Sequence, residues 1–199
     1  MKKNKIIIIF IIILMCVCLF VKIYNTNSKY GMPEEKWYGV GENVEYEGLQ
    51  YTLKDIEVCD IKDLSERFKL DIKENSYEKK GDGEDVAKKY FLVTLDIKAL
   101  DENYKFDLSQ IGQYSKNESS YSAEYLIMFD INKKRPEINR LEKNESSEYY
   151  MVLSFSAYYY TPEGLAALSE NDVALVIYDY YDECINYLCK GDRLDTNYN

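Results

Sequence analysis

The most reactive side chains in this sequence are five cysteines, and no histidine accompanies them. Histidine is the commonest general base and the commonest metal ligand in proteins. Its absence excludes Ser/His and Cys/His nucleophile systems and zinc hydrolases in their usual forms. Catalysis by a pair of carboxylates remains possible, but among 35 acidic residues such pairs arise by chance. We therefore single out no catalytic residue, cofactor or metal site, and we expect a protein that is not an enzyme.

Two cysteines near the C-terminus, Cys184 and Cys189, form a candidate disulfide. A two-residue turn at Asn186-Tyr187 would place them opposite each other on a hairpin, where the Cβ separation suits a bridge. Bridges of this kind persist in oxidising compartments outside the cell. Two alternatives stay open: Cys59 pairs with one of them, or all are buried free thiols. The spacing is not that of a CxxC redox motif.

The sequence has 21 tyrosines, and two groups of them lie near the ends of predicted strands. Because neighbouring strand residues point to opposite faces, consecutive tyrosines place some rings in solvent. Exposed rigid aromatic rings make good contact surfaces for peptides, glycans or partner domains. The alternative is that tyrosine serves as a generic strand residue. The candidate contact patch comprises Tyr158, Tyr159, Tyr160, Tyr178, Tyr180 and Tyr181.

A small acidic cluster, Asp82-Gly83-Glu84-Asp85, lies in a polar stretch between two predicted strands. Such carboxylates can bind Ca²⁺ weakly, but the cluster lacks the twelve-residue pattern of a calcium loop. We prefer the interpretation that it is a solvated loop.

The charge of the sequence restricts its partners. Its formal net charge is −10, and without the four lysines of the first 25 residues, 21 basic residues stand against 35 acidic ones, a net charge of −14. A body this acidic repels nucleic acid, and no basic stripe offsets the repulsion. Basic peptides, polycations and divalent cations are electrostatically favoured.

The N-terminus reads as a membrane anchor. After a short basic run, residues 6–21 carry no polar side chain apart from the thiols of Cys16 and Cys18. As a helix this stretch spans roughly 24 Å, just adequate for a bilayer when Lys22 snorkels. The lysines before it keep the N-terminus in the cytoplasm. We predict a single-pass signal anchor over residues 1–24 and a juxtamembrane linker over 25–36. Cleavage or lipidation of the leader is the alternative.

The remainder shows the period-two alternation of strands. Helical spacing interrupts it at 61–68, with Asp60 as a candidate cap, and near Thr161-Pro162. We predict a mainly β fold, an antiparallel β-sandwich with one or two short helices, over residues 37–192, and a tail over 193–199. Alternation is seen at 49–53, continuing after a bulge near Asp55, and at 91–97, 125–131, 149–157 and 173–177, with a last extended stretch through Ile185 and Leu188.

With the strands placed, a family resemblance can be seen. It is carried by Gly41-Glu42 with Val44, Tyr46 and Gly48-Leu49-x-Tyr51-Thr52-Leu53, by Tyr90-Phe91-Leu92-Val93-Thr94-Leu95-x-Ile97-Lys98, and by Leu141 with Glu145-Ser146. Over residues 40–180 the sequence resembles the telokin-like immunoglobulin-fold domains of unknown function on surface proteins and lipoproteins of Gram-positive bacteria. The resemblance implies an immunoglobulin-like fold and an extracellular interaction or structural role, and it brings no catalytic residues.

We expect a module held at the cell membrane by its N-terminal helix, with an extracellular domain that binds a protein or a cell-envelope ligand. One alternative is a structural or accessory subunit of a membrane assembly, in which the transmembrane helix carries the specificity. A carboxylate-based hydrolase of envelope polymers is the least favoured alternative.

Overall fold

The computed structural model describes residues 13–25, 34–71, 88–115, 121–133, 135–156, 160–177 and 184–191. The chain divides into two compact units, Met1–Glu34 and Glu35–Asn199. In the first unit, residues 13–25 form helix α1, whose side chains are exposed. Among the described residues, no helix combines the length and the apolar character that crossing a bilayer requires. Residues 6–12 of the predicted anchor lie outside the described residues, and the anchor stays a prediction.

The described part of the chain contains strands in two sheets. One sheet has the strand order β2-β3-β4-β7-β6 and the other the order β1-β9-β8-β5. The pairs with a defined register are antiparallel. Side chains from both sheets, including Leu95 and Leu175, belong to one buried core, so the fold is a mainly β, antiparallel sandwich, as predicted. The strands are β1 Glu34–Tyr38, β2 Asn43–Tyr46, β3 Leu49–Cys59, β4 Lys88–Ala99, β5 Ile111–Ser115, β6 Tyr121–Ala123, β7 Ser146–Ser156, β8 Val173–Ile177 and β9 Cys184–Cys189.

Strand β3 follows its sequence pattern closely. It begins after a two-residue turn, Glu47-Gly48, in which both residues have positive φ, 46° and 76°; this is the type I′ geometry that suits a hairpin. Its pairing with β4 shifts register between Leu53 and Asp55, which confirms the predicted bulge. The shift lets Leu53 before it and Ile56 after it both be buried.

Strand β4 is buried on both of its faces, although alternation along an antiparallel strand usually accompanies one solvated face. Phe91 faces the core between the sheets and packs edge to face against Phe155 of β7, with the ring centroids 5.2 Å apart. On the other face, Tyr90 and Leu92 are buried as well. The reason is a third layer, because two short helices, α2 (Ile61–Phe68) and α3 (Tyr125–Asn132), contribute buried side chains to the same core.

The four-stranded sheet also carries apolar side chains on both faces. Val173, Leu175 and Ile177 of β8 belong to the main core. A second buried cluster lies on the opposite face of the sheet, where Trp37 of β1 stacks on Tyr187 of β9 with the ring centroids 4.2 Å apart. This cluster explains why β8 has no solvated face.

Two predicted helices are confirmed. Helix α2 begins directly after Asp60, as predicted, but the Asp60 side chain makes no capping hydrogen bond. The last residue of the helix, Phe68, packs edge to face against Tyr150, with the ring centroids 5.0 Å apart. The helix α4, Pro162–Ala167, begins after Thr161, whose hydroxyl accepts the backbone N–H of Gly164 at 3.1 Å. Proline in the first turn and a hydroxyl cap are the signals that predicted it.

The predicted strand at 125–131 is wrong, because this segment forms helix α3. Apolar residues fill six of the seven positions from Tyr125 to Ile131, so the alternation that suggested a strand had almost no polar residues between the apolar ones. The edge of β7 that such a strand would use is taken by β6.

Candidate binding surface

The two cysteines predicted to form a disulfide lie on one strand, β9, rather than on the two arms of a hairpin. Asn186 and Tyr187, the predicted turn residues, lie in the middle of that strand and pair with β8. A strand rises about 3.3 Å per residue, which separates Cys184 from Cys189 by roughly 16 Å. That distance is far beyond the reach of a bridge. Neither thiol is joined in a disulfide, and the predicted pairing is wrong.

Of the six tyrosines in the predicted contact patch, the structure describes one, Tyr160. Tyr160 is 7% exposed and packs edge to face against Phe155 at 6.0 Å, so it is a core residue and not an exposed contact residue. The other five, Tyr158, Tyr159, Tyr178, Tyr180 and Tyr181, lie outside the described residues, as does the acidic cluster at 82–85.

The third cysteine of the domain, Cys59, is not poised for nucleophilic chemistry. Its thiol is partly buried at the end of β3. Burial, reinforced by the carboxylates of Glu57 and Asp63, raises its pKa from 9.0 to about 12. Because the thiolate is the reactive form of cysteine, this group stays protonated and inert at neutral pH.

Helix α3 is fixed at its C-terminal end by the side chain of Asn132. Its Nδ2 donates to the backbone carbonyl of Tyr150 at 2.8 Å, and its Oδ1 accepts the backbone N–H of Tyr150 at 3.0 Å. Nδ2 also donates to the carbonyl of Met128 at 2.8 Å. The amide group thus occupies the place of a neighbouring strand beside β7 and closes that part of the sheet edge.

The N-terminal end of α3 is fixed by a partly buried ion pair. Glu124, the residue before the helix, accepts from the ammonium of Lys88 at 3.1 Å and from the hydroxyl of Ser154 at 2.7 Å. The two charged side chains are only 6% and 19% exposed. The backbone N–H of Glu124 also donates to the carbonyl of Val152 at 2.9 Å. Both ends of α3 are therefore tied to β7.

The sequence between these anchors gives α3 two apolar faces. At about 100° per residue, the buried side chains and the exposed ones fall on opposite arcs of the helix. The buried face comprises Ile127, Met128 and Ile131. The exposed face, which we call the α3 face, comprises Tyr125, Leu126 and Phe129, whose exposed fractions are 64%, 83% and 69%. A helix that is apolar all round is normally buried all round, so the exposure of the α3 face is unusual.

A groove of about 360 Å³ adjoins the α3 face, and Phe129 lines both. We call it the α3 groove. Its far wall is formed by Phe106 and Tyr149, which pack edge to face at 5.4 Å. Pro136 and Ile138 add further apolar surface. The α3 face and the α3 groove together form a continuous surface with an aromatic and aliphatic centre.

The polar groups along the α3 groove form ion pairs with one another. Arg135 contacts Glu148 at 3.0 Å, and Arg140 contacts Glu137 at 2.9 Å. Lys133 contacts Asp130 at 2.6 Å on the exposed side of α3. Opposite charges are balanced within each pair, so the rim carries little net charge. The surface is therefore suited to an apolar group and offers no concentrated charge to an ionic one.

The hydroxyls of Tyr149 and Tyr150, beside the α3 groove, lose their protons less readily than an exposed tyrosine does. Burial raises the pKa of Tyr149 from 10.0 to about 12. Burial and a hydrogen bond donated to Glu148 raise the pKa of Tyr150. The guanidinium of Arg135 lies over the Tyr150 ring, 4.2 Å from its centroid. Neither phenol is prepared to act as a general base.

A second cavity, about 370 Å³, lies among the end of β3, the start of α2 and the start of β4. Both lysines that line it are engaged elsewhere, since Lys88 pairs with Glu124 and Lys89 donates to the carbonyls of Ala166 and Leu168. Within the described parts of the chain, no group of three or more Cys, Asp or Glu side chains is placed to hold a metal ion. We therefore do not regard this cavity as a second candidate site.

The α3 face was missed by sequence reasoning, which assigned its residues to a strand. The available signal was the apolar character of almost every position between Tyr125 and Ile131. Such a run predicts an element with more than one buried face. It does not reveal that one of the two faces lies open in the folded chain.

Comparison with known proteins leaves the family of the chain open. No protein-family model matches it, and no curated protein does. Among solved structures, an uncharacterized β-sandwich protein from Clostridium difficile 630 is similar, with 14% sequence identity and a TM-score of 0.41. The match covers 78% of this chain and 95% of that one.

Proposed function

We propose that this chain is a membrane-anchored, non-catalytic binding module with an extracellular immunoglobulin-like domain. The anchor rests on the apolar stretch at residues 6–21 and on the lysines that precede it. With the N-terminus in the cytoplasm, the acidic domain lies outside, and the chain crosses the membrane once.

The strand order supports the immunoglobulin-like assignment. Constant-type immunoglobulin domains pack a sheet with the strand order A-B-E-D against strands C, F and G. In chain order, β3, β4, β5, β6, β7, β8 and β9 correspond to A through G. They form the orders β3-β4-β7-β6 and β9-β8-β5. Strands β2 and β1 then extend the two sheets next to A and G.

One observation carries the binding role, which is the exposure of the α3 face beside the α3 groove. Fully burying a Leu or Phe side chain contributes about 1.5 to 3 kcal/mol. The exposed Tyr125, Leu126 and Phe129 therefore offer several kcal/mol to a partner that covers them. Large aromatic and aliphatic anchors at the centre of a surface, with ion pairs at its rim, are typical of protein interfaces.

The charge of the domain determines the kind of protein that binds. Outside the first 25 residues the net charge is −14, so a second copy of the domain is repelled and a basic protein is attracted. The rim ion pairs are neutral as pairs and do not oppose a basic partner. The partner is thus a basic protein that inserts apolar side chains into the α3 groove.

Site-specific photocrosslinking on intact cells tests this function. A photoreactive residue is placed at Leu126, and the control carries it at Lys62, an exposed position on α2. We expect a protein adduct at position 126 and none at position 62. The double variant Leu126→Ser/Phe129→Ser should weaken binding of the identified, purified protein about tenfold or more, whereas Val58→Ser, at an exposed site on β3, should leave it unchanged. Adducts with lipid or with a second copy of the chain, or equal adducts at both positions, would contradict the proposal.

A further inference from the structure

On the α3 face, a partner can contact side chains but not backbone N–H and C=O groups. Within a helix, N–H and C=O groups bond to one another. Beside α3, the edge of β7 is also closed from Tyr150 to Phe155, because β6 pairs with its end and the backbone N–H of Glu124 donates to the carbonyl of Val152. Asn132 then occupies both backbone groups of Tyr150. An extended peptide that docked here would find no strand edge beside α3 to join.

A partner segment that buries its backbone against such a surface must satisfy its own hydrogen bonds. Of the regular structures, only a helix does so within one segment. Building on the proposed function, we infer that the partner contacts this surface through a basic amphipathic helix whose apolar stripe covers the α3 face and enters the α3 groove. Helix-in-groove recognition of this kind uses anchors at i, i+3 or i+4, and i+7.

The dimensions of the surface agree with such an occupant. Tyr125 and Phe129 are four residues apart on α3, about 6 Å along its axis. The groove continues the apolar surface past Phe129 to Phe106 and Tyr149. A partner helix of two to three turns places an anchor over the α3 face and another in the groove.

The charge of the partner helix follows from the domain as a whole. An excess of 14 acidic groups draws basic residues towards the surface over the range of a Debye length, about 8 Å at physiological ionic strength. The polar face of the partner helix is therefore rich in Lys or Arg. Its association rate should fall as salt is added, whereas the apolar contacts set its dissociation rate.

The inference can be tested with the full chain in nanodiscs of zwitterionic lipid and three synthetic peptides. Two have the same Leu and Lys composition and a length of roughly 14 residues, about four helical turns. One places leucine at helical spacing and the other alternates leucine with lysine. The third has the helical spacing with Glu in place of Lys. Fluorescence anisotropy of each labelled peptide gives its affinity.

We expect the basic helical peptide to bind about tenfold or more tightly than the other two. Leu126→Ser/Phe129→Ser should remove that preference, and Val58→Ser should keep it. Equal binding of the two Leu/Lys peptides, or unchanged binding by the double variant, would refute the inference, because charge alone would then explain the affinity. If the peptides show no preference while crosslinking at position 126 still yields a basic protein, only the helical partner is refuted. If crosslinking yields no protein, the proposed function fails with it.

Discussion

Replacing Asn132 with alanine tests how α3 is held. The amide bonds to both backbone groups of Tyr150, at 2.8 and 3.0 Å, and Tyr150 is only 7% exposed. Alanine leaves these two groups without their partner and with little access to water. An unsatisfied buried polar group costs about 1 to 3 kcal/mol. Two such groups are affected, and because Asn132 itself is only half-buried, we expect a combined loss of about 2 to 4 kcal/mol in the free energy of unfolding.

Urea unfolding of the detergent-solubilised chain measures this loss. Trp37 is the only tryptophan and stacks on Tyr187 in the sheet opposite α3, so its fluorescence reports on the whole domain. For a chain of this size the melting temperature should fall by roughly 4 to 16 °C. The matched control is Asn139→Ala, an exposed asparagine that lines the same groove. A change in Asn132→Ala no larger than in this control would refute our account of how α3 is anchored.

The aspartate variant separates the donor from the acceptor. Asn132→Asp keeps an oxygen for the N–H of Tyr150 but turns a carboxylate towards the carbonyls of Met128 and Tyr150. At neutral pH it should therefore destabilise the domain at least as much as alanine does. Part of the stability should return as the pH falls, because a protonated carboxyl group can donate one hydrogen bond.

Three further predictions concern groups away from the α3 face. Lys88→Met leaves Glu124 without its cation and should lower the free energy of unfolding by about 3 kcal/mol in urea titrations, with partial recovery in Lys88→Met/Glu124→Gln; full stability in the single variant would contradict this. Cys59 and Tyr149 have pKa values raised to about 12 from 9.0 and 10.0. Each therefore loses its proton at a lower pH in the unfolded chain than in the folded one, so their contribution to stability is present below about pH 9 and should be lost as the pH rises towards 12. Urea titrations at pH 8 and pH 10.5 measure this change, and a free energy of unfolding that is equal at the two pH values would refute the prediction. Mass spectrometry without reductant should find both cysteines of β9 open to alkylation after denaturation, and a peptide pair joined through them would show that our strand assignment is wrong.

The long strands were predictable because their interior positions repeat with period two. In β3 even the bulge was predicted, since the apolar phase changes where the register shifts, between Leu53 and Asp55. Helix α4 was predictable for a different reason, because Thr161 and Pro162 carry its start signal within two residues. In these elements local residue types and tertiary contacts favour the same structure.

The short edge elements were not predictable in this way. Strands β1, β5 and β6 have three to five residues and show no clear alternation of apolar and polar residues. The Cys184–Cys189 hairpin was predicted from spacing alone. Asn186-Tyr187 is not a favoured hairpin turn, and the segment instead forms a single strand that pairs with β8. Contacts between residues distant in sequence therefore determine the structure of this segment, and the spacing of its two cysteines does not predict it.

Helix α3 shows why a candidate binding surface is harder to predict than a fold. A helix of eight residues is not stable alone in water, and α3 is held by its buried face, by Asn132 and by Glu124. None of these groups depends on the residues of the opposite side. Polar residues at Tyr125, Leu126 and Phe129 would leave those contacts intact, and exposed substitutions usually change stability by no more than about 0.5 kcal/mol. Folding does not require the apolar character of the α3 face, and on this ground we propose that the face contacts another molecule.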